Sequence, residues 1–243
     1  MKVIRTSTKY PHGNDVFHIE ILYPGEVLGG QDTGFYTIGR IDHANFRPPG
    51  LVPMHKHQDD EILSYMRSGR QTHKDTAGNR EVIHASKLML MNAGSGVSHE
   101  ERAEEDLEML QIFMRPSKNG LVPKVQFHAF ETIYSENHWR LVAGNDDAAP
   151  LQLRVATNIF DVRLSENKVI PVPATPDVFN FLYCFAGSVT VEEALLSKGD
   201  CIIFDHEQPK IQAVITSDLV LFQIKTDAVY SDSGMFSGNQ RKS

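Results

Sequence analysis

Two histidines separated by one residue, His55 and His57, are the first sign of chemistry in this sequence. In an extended strand, residues two apart point to the same face of the sheet, so both imidazoles can reach one point. Neutral imidazoles on one face can bind a single divalent ion, and imidazole suits Zn, Cu, Ni and Fe. The pair therefore predicts a metal site on a strand.

A third histidine and two carboxylates could complete this site. His99 follows a glycine-rich turn, residues 92–98, and would arrive from a different hairpin. Glu101 lies two residues after His99 and would share its face if the strand continues, whereas Glu61 lies four residues after His57. Histidines joined by a carboxylate, with open coordination positions, are the usual arrangement for non-haem Fe(II). We expect one divalent metal, with Fe(II) as first choice and Zn, Ni, Cu or Mn as alternatives.

Short runs of β-forming residues, separated by Gly, Asn, Asp and Pro, dominate the chain, and hardly any long stretch has a helical period. This pattern is typical of an all-β protein whose strands close into a sandwich or barrel. Gly78 and Asn79 supply turn residues that tolerate positive φ. The predicted strands of the first half are 34–42, 55–67, 69–74, 81–84, 87–91 and 108–115.

A second β series follows residues 116–124, which are rich in helix and strand breakers and predict a linker. The two halves look like diverged copies of one barrel, but no histidine lies between His138 and His206, so the second copy cannot repeat the site. The segment before Gly34 could pair with an edge strand of the other barrel. The tail from about Tyr230 has little apolar content and is predicted to be disordered.

Charge and composition narrow the possible functions. A net charge of −7 argues against a nucleic-acid binder and favours a small-molecule ligand. No apolar run approaches the roughly 18 residues that a membrane span needs, and the polar N-terminus does not suit a secretory signal. We therefore expect a cytoplasmic protein without a membrane or direct nucleic-acid partner. Cys184 and Cys201 lie in apolar strand-like runs, which predicts reduced, buried thiols.

The histidine motifs resemble the two signature motifs of the cupin superfamily, and more narrowly the pirin family. The motifs that carry the resemblance are His55-Lys56-His57-Gln58-Asp59-Asp60-Glu61, residues 73–79, Ala93 to Glu101 and Gln111 to Pro116. The strong match covers about residues 34–127. The resemblance implies a bicupin, two cupin-type β-barrels in one chain: a metal-binding barrel at 1–127 and a degenerate barrel without metal at 128–243.

Pirins bind metal, usually iron, through three histidines and a glutamate in the N-terminal barrel. Carried onto this chain, the resemblance implies His55, His57, His99 and Glu101 as ligands, with Glu61 either as a residue that contacts the ligands or as one that faces the substrate. The broader cupin pattern would instead make Glu61 the ligand. Glu101 and Glu61 are therefore the candidate catalytic residues.

Two activities are compatible with this resemblance. One is a dioxygenase that cleaves flavonols or other small enolic substrates, of the quercetin 2,3-dioxygenase type, with the glutamate as base. The other is a metal-dependent, redox-sensing regulatory protein that binds a protein partner without turnover. This chain has Lys56 and Gln58 where the family typically has Pro and Arg, and Asp59 and Asp60 where small and apolar residues are common. We expect these departures to change the mouth of the pocket.

Overall fold

The computed structural model describes residues 1–205 and 208–242, which form mostly antiparallel strands. In chain order the strands are β1 (Lys2–Ile4), β2 (Tyr10–Gly13), β3 (Phe17–Leu22), β4 (Ile38–Phe46), β5 (Leu51–His57), β6 (Glu61–Ser68), β7 (Arg70–Asp75), β8 (Arg80–His84), β9 (Lys87–Asn92), β10 (Val97–Ala103), β11 (Leu107–Met114), β12 (Lys124–Ala129), β13 (Arg140–Ala143), β14 (Thr157–Leu164), β15 (Val169–Pro171), β16 (Val178–Val191), β17 (Ala194–Ser197), β18 (Cys201–Asp205) and β19 (Lys210–Lys225). The helical elements are α1 (Pro24–Val27) and 3-10 turns at Thr6–Thr8 and Gln240–Lys242. The all-β expectation is confirmed. Within the described ranges, no helix is long and apolar enough to cross a membrane.

The chain folds into two compact units, and each contains segments that are distant in sequence. The larger unit comprises residues 9–133, 151–155 and the chain from 229 onward, and the smaller comprises 1–8, 134–150 and 156–228 as far as the structure describes them. A single boundary between residues 127 and 128 therefore does not describe this division, because each terminal segment belongs to the unit formed mainly by the other half of the chain. At the N-terminus the physical reason is strand pairing, since β1 forms the edge of the smaller unit's sheet.

In the larger unit, one sheet runs in the order β2-β3-β4-β11-β6-β9-β8-β7-β10-β5, with β12 paired to β9. Neighbouring strands in this order pair in antiparallel register. Alternating residues of β6, β9 and β11 supply the apolar interior, including Leu63, Leu90 and Ile112, none of which is exposed. This packed interior fixes β5 and β10, the strands that carry the histidines.

Most predicted strands of the first half are present with shifted ends, but the predicted strand 55–67 is wrong as a single element. The structure ends β5 at His57 and begins β6 at Glu61. Asp59 adopts a left-handed conformation with φ of 59°, which a continuous strand cannot contain. The break places Asp59 and Asp60 in a tight turn beside the histidines.

The predicted disorder of the tail is also wrong. Residues 229–242 pack in the larger unit, where Ser237 is fully buried and Gly238 is also buried. Few apolar residues are available there, so the tail is held mainly by hydrogen bonds to buried charged side chains. This source of order is invisible in the apolar content on which the prediction rested.

In the smaller unit, the sheet runs β1-β18-β16-β19-β14-β13. The long strands β16 and β19 pair along most of their length and form the centre. Strand β1 pairs with β18 through Val3 and Ile202, so the expected pairing with the other unit holds for residues 2–4, whereas β2 and β3 pair within the larger unit's sheet. Cys184 and Cys201 are buried here and form no disulfide with each other, as expected.

Candidate metal centre

Two neighbouring strands carry the predicted ligands. His55 and His57 lie on β5, and His99 and Glu101 lie on β10, which pairs with β5 in antiparallel register. His55 and His99 are direct cross-strand partners. The register then shifts between His99 and Glu101. The structure thus brings the four predicted ligands to one end of this strand pair, where all four line the same cavity.

The three imidazoles point ring nitrogens at a common point. One ligand atom from each of His55, His57 and His99 lies within 4.8 Å of the others. The Nε2 atoms of His55 and His57 are 2.9 Å apart, and Nε2 of His99 is buried with no hydrogen-bond partner. Buried polar atoms normally have partners, so an orphaned nitrogen needs an explanation. A metal ion bound at this point would satisfy the lone pairs, and the donor set therefore fits one.

Of the opposite ring nitrogens, that of His55 is hydrogen-bonded, whereas Nδ1 of His57 is buried without a hydrogen-bond partner. His55 donates a hydrogen bond from Nδ1 to the carbonyl of Pro53 at 2.9 Å, which leaves Nε2 with a lone pair. His57 places Nδ1 3.5 Å from the Asp60 carboxylate. Such outer partners fix the tautomer and ring orientation of metal-bound histidine. The tautomers are inferred from these partners.

A fourth histidine supports His99 from behind. Nε2 of His73 lies 2.8 Å from the Asp75 carboxylate, and Nδ1 of His73 lies 3.3 Å from Nδ1 of His99. Because an ionised carboxylate only accepts, His73 donates to Asp75 and accepts from His99. Burial raises the pKa of Asp75, but the hydrogen bonds from His73 and Asn79 outweigh it and hold the pKa below its ordinary value. The relay directs the lone pair of His99 Nε2 toward the cavity.

Burial keeps the histidines neutral. Burial and the neighbouring imidazoles lower the pKa of His99 to about 2, and burial lowers the pKa of His55. A protonated imidazole cannot bind a metal, so neutrality is the state that a ligand requires. The site therefore needs no proton release from these two rings at neutral pH.

The two candidate glutamates occupy different environments. Glu101 lines the cavity and accepts a hydrogen bond from Gln71 at 3.0 Å. One of its carboxylate oxygens lies within 4.8 Å of a ring nitrogen of His73 and of one of His99. Burial raises the pKa of its carboxyl. Glu61 instead accepts from the backbone N–H of Arg154 at 2.8 Å and lies outside the cavity lining. The expectation that Glu61 faces the substrate therefore finds no support in the geometry, which favours Glu101.

The cavity in front of the imidazoles has a volume of about 350 Å³ and walls that are mainly apolar. Arg40 and Asp42 form a bidentate ion pair with both contacts at 2.6 Å. The Arg40 guanidinium also lies 5.4 Å from the ring centroid of Phe113 and 5.5 Å from that of Phe236. The described lining also includes Phe17, Ile19, Ile21, Phe46, Val52, Met109 and Gln111. An apolar cavity with a few fixed polar groups suits a small organic molecule.

Sequence reasoning missed several of these residues. The sequence pattern assigned no metal role to His73, although it lies two residues before Asp75 on one strand, which is the spacing that identified His55 and His57. Phe236 belongs to the tail expected to be disordered. Local sequence carries no signal for its contact with the cavity.

The expectation that Asp59 and Asp60 reshape the mouth of the pocket is wrong. Their exposed fractions are 4% and 0%. Asp59 accepts from the backbone N–H of Gly120 at 2.7 Å, and Asp60 accepts from the backbone N–H groups of Phe236 and Ser237. Both carboxylates therefore fix chain segments inside the larger unit.

Comparison with known proteins agrees with this arrangement. The Pirin family profile matches residues 34–114. A pirin-like protein of Caulobacter vibrioides is 30% identical over 174 residues, which cover 70% of this chain and 75% of the relative. A quercetin 2,3-dioxygenase of Escherichia coli strain K12 is 26% identical over 174 residues, covering 70% and 74%.

Solved structures extend the similarity to the whole fold. The crystal structure of a bacterial pirin from Escherichia coli in complex with nickel(II) superposes with a TM-score of 0.81 at 21% identity, covering 92% of this chain and 98% of that one. An oxalate decarboxylase structure from Bacillus subtilis superposes with a TM-score of 0.57. Together with the converging histidines and the two β-units, the relative from Caulobacter shows that this chain belongs to the pirin family.

Proposed function

We propose that this protein binds one divalent metal through His55, His57, His99 and Glu101 and uses it to dioxygenate a small enolic substrate of the flavonol type. The observation that carries the proposal is the buried, unpartnered Nε2 of His99, which points to where the Nε2 atoms of His55 and His57 meet. Fe(II) is the metal that this proposal favours, because histidines with one carboxylate and open positions suit it. Zn, Ni, Cu and Mn are the alternatives.

The names of the relatives support this proposal. A relative of similar length is named a quercetin 2,3-dioxygenase, and a protein of the same fold binds nickel(II). When bound, the metal would supply Lewis-acid polarisation of a substrate hydroxyl oxygen and a place for oxygen chemistry. The chain's own residues must then orient the substrate, exclude water and move one proton.

Glu101 is the residue that we assign to the proton. Its carboxylate lines the cavity and is held by Gln71, and burial raises its pKa. A carboxylate at this position, beside the proposed metal, can accept the proton of an acidic enol. In this proposal Arg40 and Asp42 offer hydrogen bonds to polar substituents farther from the metal, and the phenylalanine rings contact the substrate's aromatic part.

The test joins metal content to oxygen uptake. We expect the purified protein, reconstituted anaerobically with Fe(II), to hold one metal per chain by mass spectrometry and to consume oxygen with quercetin. His55→Ala should lose both metal and uptake, whereas His138→Ala, at an exposed histidine of the smaller unit, should retain both. Iron-loaded protein that consumes no oxygen with any flavonol offered would contradict the proposed activity.

The alternative, a regulatory protein without turnover, is supported less well by the structure. A protein partner would need exposed groups near the histidines, but the two aspartates in that segment, Asp59 and Asp60, are buried. The acidic run after His99 is engaged in surface ion pairs, with Glu100 near Lys74 and Glu104 near Arg70. These observations favour a cavity ligand over a docking surface.

A further inference from the structure

The C-terminal turn, residues 234–238, is fixed in the larger unit by the fully buried carboxylate of Asp60. One oxygen of Asp60 accepts from the backbone N–H of Phe236 at 3.0 Å, from the backbone N–H of Ser237 at 2.9 Å and from the Ser237 hydroxyl at 2.8 Å. The other oxygen lies 3.5 Å from Nδ1 of His57. One side chain thus contacts both the turn and a metal-ligand candidate.

A second buried charge holds the same turn from the other side. Arg115, which is fully buried, donates from Nε to the carbonyl of Ser237 at 2.9 Å and forms an ion pair with Asp32. Its guanidinium lies 5.3 Å from the ring centroid of Tyr230. Hydrogen bonds to charged groups are the stronger ones, and here they act on both faces of one turn.

Two glycines make room for this docking. A Cβ added at Gly39 would lie 2.1 Å from the Ser237 carbonyl oxygen, and one added at Gly234 would lie 2.5 Å from Asp60 Oδ1. Only glycine permits these approaches without displacement. The turn is therefore held in one position within the larger unit.

Fixed in this way, Phe236 becomes a wall of the metal cavity. Its ring centroid is 5.1 Å from that of His57 and 5.5 Å from that of Phe113. The Arg40 guanidinium lies 5.5 Å from the same ring. Phe113, Phe236 and Arg40 together form an aromatic and cationic surface beside the point where the imidazoles meet.

From this placement we propose that Phe236 is a specificity-determining residue that contacts the aromatic ring of the substrate, with the C-terminal turn as its fixed support. The inference deepens the proposed function and rests on it for the substrate class, planar aromatic enols. Aromatic pairs at ring-centroid distances of about 4.5 to 7 Å contribute stability beyond their buried area. Removing the ring should weaken aromatic ligands selectively, since small ligands of the metal do not reach it.

The test measures binding without turnover, on the full chain loaded with Co(II) and kept free of oxygen. The probes are quercetin, followed by its absorbance, and azide, followed by the cobalt spectrum. For Phe236→Ala we expect quercetin binding to weaken about tenfold, the size of one aromatic contact, with azide binding unchanged. Phe236→Leu should lie between, because it keeps apolar bulk without a ring. Met235→Ala, at an exposed neighbour, is the matched control.

The outcomes separate this inference from the proposed function. Quercetin binding that is equal or tighter in Phe236→Ala would overturn the role of Phe236 whatever the activity. Failure of the wild type to bind quercetin while azide still perturbs the cobalt spectrum would also overturn it. Quercetin that binds the wild type and is weakened by Phe236→Ala, but is not consumed when iron and oxygen are supplied, would support this inference and reject the dioxygenase. Backbone hydrogen bonds hold the turn, so both Phe236 variants should fold, which thermal unfolding checks.

Discussion

The Nδ1 atoms of His73 and His99 lie 3.3 Å apart, both rings are buried, and the far side of His73 is bound to Asp75 at 2.8 Å. This contact makes His73 a support of the metal site, although His73 is not among the described residues that line the cavity. The relay has one consistent set of protons, in which each donor has one acceptor.

We predict that breaking the relay weakens metal binding more than it weakens the fold. His73→Phe removes the acceptor for His99 and should lower metal affinity about 10- to 100-fold, as changes in outer partners of metal-bound histidine do. Competition with a chelator of known affinity measures this. His128→Gln, on the half-exposed face of β12, should leave the affinity unchanged. Unchanged affinity in His73→Phe would show that the relay does not position His99.

We predict that Asp60 is required to hold the C-terminal tail, residues 229–242, in place within the larger unit. Asp60→Ala leaves the backbone N–H groups of Phe236 and Ser237 without their charged acceptor, which should cost about 3 kcal/mol of unfolding free energy. Limited proteolysis followed by mass spectrometry should then detect cleavage between residues 229 and 242. Asp232→Ala breaks only an exposed ion pair with Lys242 and should leave the tail protected. Equal protection in both variants would contradict this role of Asp60.

We predict that Glu61 makes stability depend on pH. Burial raises the pKa of Glu61 from 4.5 to about 7, so the folded state keeps a proton that the unfolded state has lost. Its contribution is therefore fully present below about pH 4.5 and is lost as the pH rises through 7. Glu61→Gln should raise the unfolding free energy at pH 8 by up to about 3 kcal/mol and change it little at pH 4. Denaturant titrations at the two pH values measure this, and an equal effect at both would refute the assignment.

We predict that the contributions of Arg40 and Asp42 to the free energy of unfolding depend on each other. Their side chains are 11% and 6% exposed, so Asp42→Ala leaves a buried guanidinium unpaired and should cost about 3 to 5 kcal/mol. The double variant Arg40→Met, Asp42→Leu should cost less than Asp42→Ala alone, because it removes both charges. Chemical denaturation of the two variants decides this. A double variant that loses as much stability as Asp42→Ala, or more, would contradict this pairing.

The histidines could be predicted because their signal is local. A period of two along one strand identifies His55 and His57, and the same period links His99 to Glu101. The β-class followed from the spacing of turn residues. Sequence reasoning from the residues left the choice between Glu61 and Glu101 open, because it depends on which strand faces the cavity. The structure favours Glu101, because Glu101 lines the cavity while Glu61 accepts a hydrogen bond from the backbone of Arg154.

The contacts that could not be predicted are those between distant positions. Asp60 and Ser237 are 177 residues apart in sequence, and nothing near either residue indicates the other. The tail was expected to be disordered because apolar content was the criterion, whereas two buried charges supply its stability. His73 was overlooked because its partner His99 lies on another strand, 26 residues away.

The exchange of terminal segments between the units also determines when each can be completed during synthesis. Strand β1 is synthesised long before β18 and has no partner until β18 follows. Most of the larger unit likewise precedes the smaller unit in the chain, whereas the turn that carries Phe236 comes after it. Until then Asp60 and Arg115 lack their partners in the tail, and the histidines lie in an open cavity. The larger unit is therefore complete only after the smaller unit has been synthesised.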